Sequence, residues 1–270
     1  MSHFQLKTSN GVTYLSCLPF ESLGVTAATS TRLGGVSPLS ENALNLGYFQ
    51  GVEPKNVKEN RRRFLSAVST DGARLVTMRQ THSNRCVVVG HAPDDEPPTC
   101  DALITRGPGV MLGVQTADCA PILIFDSRTR ALGAVHAGWR GTLARIAEET
   151  LKTMHADYGT RGEDCHAALG PTIGRCCYEV GSDVTEPFKQ QFSYADLCIS
   201  NHAASGKAHL DLIEANVRQL LECSVPRSQI YLGDYCTACN TQLFFSYRRE
   251  GRLVPHVGRL LSVICDNNPM

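Results

Sequence analysis

The sequence predicts an α/β fold, a single domain over residues 1–270 with a mixed β-sheet flanked by helices. Three observations carry this reading. Short apolar runs of strand length alternate with stretches whose apolar residues recur every three or four positions. No internal repeat and no low-complexity linker divides the chain. An apolar fraction of 42% and a charged fraction of 19% over 270 residues supply enough material for a real core.

Strands are expected at Gly24–Ser30, Leu75–Met78, Cys86–Val89, Ala102–Thr105, Val110–Gln115, Ile122–Phe125, Ala131–His136, His166–Leu169, Ile230–Leu232 and His256–Cys265. Each is short and apolar; the unbroken Ile122-Leu-Ile-Phe125 suits a strand buried on both faces. A helix is expected over Asn56–Val68. Another runs from Thr142, where Leu143, Ile146, Ala147, Thr150, Leu151 and Met154 make one stripe. A third starts at Glu179, with Val180, Val184, Phe188 and Phe192 every four residues. A fourth follows Asp211, which with Glu214 resembles a capping box. Ala92–Pro98 reads as a surface loop and Gly170-Pro-Thr-Ile-Gly174 as a turn.

Charge and hydropathy exclude several classes. Lysine plus arginine total 26 and aspartate plus glutamate total 26, so the net charge is +0. A nucleic-acid partner normally demands a basic surplus, and none is expected. No segment approaches the roughly 20 apolar residues of a membrane span. The first ten residues lack the apolar stretch of a signal peptide, so a cytoplasmic location is expected. The 12 cysteines should then be mostly reduced thiols.

Three segments concentrate chemistry: Arg79-Gln-Thr-His-Ser-Asn84, Gln115-Thr-Ala-Asp-Cys-Ala-Pro121 and Ala134-Val-His-Ala-Gly-Trp-Arg-Gly-Thr142. Each places one possible metal ligand at a strand end: His82, Cys119 and His136. Two imidazoles and a thiolate suit Zn²⁺, and three protein ligands leave a fourth position open for catalysis. The same residues also allow a bland arrangement, with Cys119 packed as a small hydrophobe and the histidines bonded to carbonyls. Gly138 and Gly141 flank Trp139 and Arg140 before a helix start, a place that can favour an anion or be a plain turn. Cys236-x-x-Cys239 reads as half a zinc knuckle or a redox pair, with Cys176-Cys177 a possible complement. Arg61-Arg62-Arg63 and Arg248-Arg249 are solvated faces or cradles for an anionic substrate.

These segments carry a family resemblance. The chain resembles the laccase-domain family, also called the multicopper polyphenol oxidase or purine nucleoside phosphorylase family. The match includes Ser30-Thr-Arg-Leu-Gly-Gly-Val-Ser37, Leu44-Asn-Leu-Gly47, Glu59-Asn-Arg61, Gln80-Thr-His82, Thr116-Ala-Asp-Cys119, His136-Ala-Gly-Trp-Arg-Gly141, Leu169-Gly-Pro171, Tyr178-Glu-Val-Gly181 and Phe245-Ser-Tyr-Arg-Arg249. The resemblance implies a laccase-domain fold, related to that of cytotoxic-necrotizing-factor deamidases, and a monomer. It implies one zinc held by His82, Cys119 and His136. It also implies phosphorolysis of adenosine, inosine or guanosine to base and ribose 1-phosphate, with adenosine deamination and methylthioadenosine cleavage attributed to the family. Ser83 departs from the expected glycine and should narrow the pocket mouth. Cys239 is a second departure.

Phosphorolysis requires a cationic cradle for phosphate, and Arg61, Arg140 and Arg248 are the candidates. Gln80 is a further candidate contact with the substrate. Asp118, beside Cys119, is a candidate to orient a ligand or hydroxyl or to handle a proton. The nine histidines include no pair separated by one residue, which argues against a multicopper cluster, although copper in a single His₂Cys site is chemically allowed. Two rival readings stand beside a phosphorylase. One is a thiol hydrolase with a Cys119–His136 dyad. The other is a non-catalytic binding protein.

Overall fold

Period-two alternation explains how the strands are buried. In the strand Ala120–Asp126 every residue is buried. Leu123 and Phe125 join one apolar cluster, while Ile122 and Ile124 join another on the opposite face. This pattern needs cover on both sides, and a second sheet and a helical layer supply it. The computed structural model describes residues 3–39, 43–68, 72–90, 96–201, 207–254 and 256–268.

The fold is α/β with mixed strand pairing and flanking helices, as the sequence predicts, but the one sheet expected is divided into several. The strands are shared between two six-stranded sheets and a small three-stranded one. The first sheet runs in the order Phe4–Ser9, Val12–Cys17, Val25–Ser30, Leu260–Asp266, Val110–Thr116, Arg74–Val76. The second runs Ile230–Leu232, Cys165–Leu169, Ala120–Asp126, Leu132–Ala137, Ala102–Thr105, Cys86–Val88. Each combines antiparallel and parallel pairs. Leu15, Phe20, Leu112, Val114 and Ile264 meet Leu123, Phe125 and Ala134 in the cluster between them. The outer face of the first sheet receives Phe64 and Ala67 of the helix Pro54–Ala67. That of the second receives Ala147, Leu151 and Met154 of Ile146–Tyr158, and Val217 and Leu220 of Leu212–Glu222. A satellite core around Val184, Phe188, Leu210 and Leu212 supports the three-stranded sheet Glu179–Val180, Ala208–Leu210 and Ile199–Asn201.

Several elements differ from the sequence reading. The stripe from Thr142 is broken into Trp139–Leu143 and Ile146–Tyr158, because Arg145 takes a left-handed conformation with φ 60°. The stripe from Glu179 mixes a two-residue strand with the helix Ser182–Gln191; Phe192 lies just past the helix end yet stays buried. The last strand starts at Leu260, not His256. The hairpin Phe4–Ser9/Val12–Cys17 was not foreseen; its turn is Asn10-Gly11, both with positive φ. Of the Ala92–Pro98 loop, residues 92–95 lie outside the described residues. Among the described residues no helix is long and apolar enough to cross a membrane.

The capping reading at Asp211 has a direct counterpart: its Oδ1 accepts from the Glu214 N–H at 2.9 Å. Asp211→Ala is expected to destabilise the protein by about 1 kcal/mol. The check is a lower urea midpoint at an unchanged m-value.

Candidate metal centre and its pocket

The two sheets part at one corner, and the site forms there. The chain leaves the first sheet at Thr116 and enters the second at Ala120. Asp118 makes this crossover with φ 90°, a conformation that side chains rarely adopt. Cys119 therefore stands next to Ala120, whose partner across the ladder is Ala137. His136 is one residue before Ala137, so strand register alone brings it beside Cys119. His82 arrives from the opposite side, after the Arg79–Thr99 bridge, and also takes positive φ, at 61°.

The three ligand atoms of His82, Cys119 and His136 lie within 4.8 Å of one another. Cys119 Sγ is 3.9 Å from His82 Nε2, and the two imidazole centroids are 4.9 Å apart. A tetrahedral zinc ion with ordinary bond lengths holds its donors roughly 3.4–3.8 Å apart, so modest side-chain movement would close this group on an ion. Gly138 lies against the group. A Cβ there would fall 2.9 Å from His82 Cδ2 and 3.0 Å from Cys119 Sγ. The glycine in His-Ala-Gly-Trp is thus required for space.

Asp101 organises the site, and the sequence reading missed it. It is fully buried at the start of the strand Ala102–Thr105. Its Oδ1 accepts from His136 Nδ1 at 2.8 Å and from the His82 backbone N–H at 2.9 Å. Its Oδ2 accepts from the Ser83 N–H and hydroxyl, both at 2.7 Å, and from the Thr81 N–H at 3.1 Å. Burial works against the Asp101 charge, but the bonds from His136 and Ser83 outweigh it and hold the carboxyl far below the usual range. With Nδ1–H donated to Asp101, Nε2 is the ring atom of His136 left for Cys119. Burial opposes a charged imidazole, but Cys119 and Asp101 outweigh it and raise it to about 9, so a metal would take the place of the Nε2 proton. Burial likewise opposes the Cys119 thiolate; the charge and hydrogen bonds of His136 and His82 prevail and bring the thiol down to about 6.

A cavity of about 810 Å³ opens above the three side chains. Its walls include Tyr48, Phe49, Tyr178 and Tyr247, and its cationic groups are Arg61, Arg79, Arg248 and Arg259. Arg61 bonds the Leu46 carbonyl through Nε at 3.0 Å and stacks 4.7 Å above the Tyr48 ring. Its Nη2 is buried with no hydrogen-bond partner among the described residues. Arg248 donates to the Glu179 carbonyl at 2.8 Å. Arg259, which no sequence signal marked, lines the same wall.

Other expected site residues have different surroundings. Gln80 reaches the pocket wall, but its amide is engaged twice by the Gln115 backbone, at 2.7 and 2.8 Å. Asp118 is held by the Thr237 hydroxyl and the Arg248 N–H, each at 2.6 Å. Arg140 is exposed, stacks 4.2 Å over Trp139 and is not part of the pocket wall. The helix that holds it, Trp139–Leu143, has only five residues. Ser83 does not narrow the mouth: its hydroxyl turns inward to Asp101.

Residues 26–267 match the family described as multi-copper polyphenol oxidoreductase laccase. The chain belongs to that family. Among its relatives, a purine nucleoside phosphorylase of Bacteroides thetaiotaomicron is 37% identical over 260 residues, covering 92% of this chain and 95% of that one. Adenosine deaminase RL5, from an unknown prokaryotic organism, is 38% identical over 237 residues, covering 84% of this chain and 90% of the other. The crystal structure of YlmD from Geobacillus stearothermophilus superposes with a TM-score of 0.89 at 32% identity, over 99% of this chain and 100% of that one.

Asp101→Asn is expected to lower the affinity of the His82–Cys119–His136 group for a divalent metal ion by about 10–100-fold, measured by competition with a chromogenic chelator. In metal-stripped protein, Cys119 is expected to react with iodoacetamide along a curve centred at about pH 6, because the thiolate is the nucleophile and is lost as pH falls through that value. Peptide mapping after timed alkylation checks it; a midpoint above pH 8 would contradict the arrangement.

Proposed function

We propose that this laccase-family protein is a zinc-dependent purine nucleoside phosphorylase, converting adenosine, inosine or guanosine and phosphate to base and ribose 1-phosphate. The observation that carries the proposal is Arg61, which lines the same cavity as His82, Cys119 and His136 and whose Nη2 is buried with no hydrogen-bond partner among the described residues. An unpaired guanidinium nitrogen in a partly dry site asks for an anion, and phosphate is the anionic substrate of this reaction. The names of the relatives support the nucleoside class.

Two imidazoles and a thiolate fit zinc, and the Asp101 bond to His136 is the outer support such ligands use. Zinc held by His82, Cys119 and His136 would supply Lewis acidity toward an oxygen of the phosphate or sugar. The chain's own groups would do the rest. Arg61 and Arg259 bind phosphate oxygens and keep the nucleophile against the anomeric carbon. Tyr48, Phe49, Tyr178 and Tyr247 offer apolar ring faces to the purine. A phosphate oxygen then bonds to C1′ as the C1′–N9 bond breaks with its electron pair leaving on the purine, and the proton of the attacking hydrogen phosphate passes, through water, to that purine. Asp118 holds the Arg248 segment and the Thr237 turn in place.

Adenosine deamination is a second reading, favoured by the name of one relative. A multicopper oxidase is disfavoured: among the described residues only two imidazoles, His82 and His136, belong to the candidate centre. Copper-dependent phenol oxidation would have to run on that single site. A metal-free thiol hydrolase needs one imidazole beside Cys119, and the second at 3.9 Å is better explained as a ligand.

Zinc-loaded protein incubated with adenosine and phosphate is expected to yield adenine and ribose 1-phosphate by chromatography, with no adenine when phosphate is omitted. Inosine as the product would indicate deamination instead. Arg61→Ala is expected to raise the KM for phosphate by about tenfold with a smaller change in kcat. Unchanged KM would remove Arg61 from the phosphate site.

A further inference from the structure

Four cysteines that take no part in the proposed reaction meet at a second place. Cys176 and Cys177 come from a tight turn in which the Cys177 and Tyr178 N–H groups both bond the Gly174 carbonyl, at 2.9 and 3.0 Å. Cys236 and Cys239 come from a second turn, closed by the Asn240 N–H on the Cys236 carbonyl at 3.1 Å. The two turns are joined by backbone bonds between Thr172 and both Tyr235 and Thr237. All four sulfur atoms lie within 4.8 Å of one another. Cys239 Sγ is 3.3 Å from Cys177 Sγ and 3.6 Å from Cys176 Sγ. The separation of two sulfurs on a tetrahedral zinc ion is roughly 3.8 Å.

We propose that Cys176, Cys177, Cys236 and Cys239 form a closed tetrathiolate site for a structural Zn²⁺, separate from the His82–Cys119–His136 group. Cys239 is near both Cys176 and Cys177, a sharing that one ion bound to all four sulfurs accommodates. All four are free thiols. The surroundings suit thiolates: the Gly174 N–H points at Cys236 Sγ from 3.2 Å, and the Arg249 guanidinium reaches Cys177 Sγ at 3.7 Å. Arg249 offsets part of the net negative charge of four thiolates on a divalent ion. A Cβ at Gly174 would come 3.2 Å from Cys236 Cβ and 3.3 Å from Cys176 Sγ, so a side chain there would crowd the group.

Each turn also supports the pocket. Thr237, between the two cysteines of its turn, donates to Asp118, and the Ile173 N–H bonds the Asp118 carbonyl at 2.9 Å. Tyr178 follows Cys177 directly and lines the cavity. The ion would clamp both turns beside the small satellite core, into which Ile173 and Ala238 are buried.

The test is metal analysis, independent of any turnover. Zinc-loaded protein, purified under reductant and gel-filtered, is expected to carry two zinc ions per chain. His82→Ala/His136→Ala is expected to keep one, and its cobalt-substituted form is expected to show the intense thiolate charge-transfer absorption of an all-sulfur site. Cys239→Ser alone, and Cys176→Ser/Cys239→Ser, are expected to bring the wild-type stoichiometry down to one. One zinc per wild-type chain, with these four thiols all reacting at once with a thiol reagent, would overturn the proposal. So would a disulfide between the two turns in the reduced preparation, found by peptide mapping.

Discussion

The Asp101 carboxylate is the interaction on which the candidate centre depends. A fully buried charge is tolerated only when its lone pairs are satisfied, and Asp101 meets that condition by drawing in the chain around it. It takes the imidazole of His136 on one oxygen and the Thr81–Ser83 backbone across both. The unfavourable left-handed backbone at His82 is held by its N–H bond to this carboxylate. Position and orientation of two of the three possible ligands thus follow from one buried acid. The remaining one, Cys119, follows from register between Ala120–Asp126 and Leu132–Ala137.

A second constraint comes from the corner between the sheets. The chain must cross from one sheet to the other in the few residues between Thr116 and Ala120, and Asp118 absorbs the turn. Its carboxylate then fixes Thr237 and Arg248, and its carbonyl receives Ile173 and Thr172. Asp118 is therefore a joint between the sheet sandwich and the peripheral loops. Where the sequence suggests a residue that orients a ligand or hydroxyl or handles a proton, the structure shows this carboxylate engaged by the Thr237 hydroxyl and the Arg248 N–H.

The legible parts of the fold were those whose signals are local. Ala102–Thr105 and Ile230–Leu232 have the bounds their apolar runs indicated, and the Asp211 cap is where its side-chain chemistry put it. The grouping of His82, Cys119 and His136 was suggested because each lies close to a strand end within an unusual motif. Asn10-Gly11 is a hairpin signal of the same local kind. Arg145 gives no hint of its left-handed conformation; tertiary packing imposes it. Asp101 and Arg259 carry no motif either, since their importance lies in partners far away in sequence, such as His136 and Phe49. Alternation along a strand tells which side chains face opposite ways, but not which of two sheets the strand joins.

The Leu260–Asp266 strand lies between Val25–Ser30 and Val110–Thr116, at the middle of the first sheet. It is therefore the keystone of that sheet: without it Val25–Ser30 and Val110–Thr116 would each present a row of unpaired backbone groups, and Arg259, which directly precedes it, would lose its footing in the cavity wall.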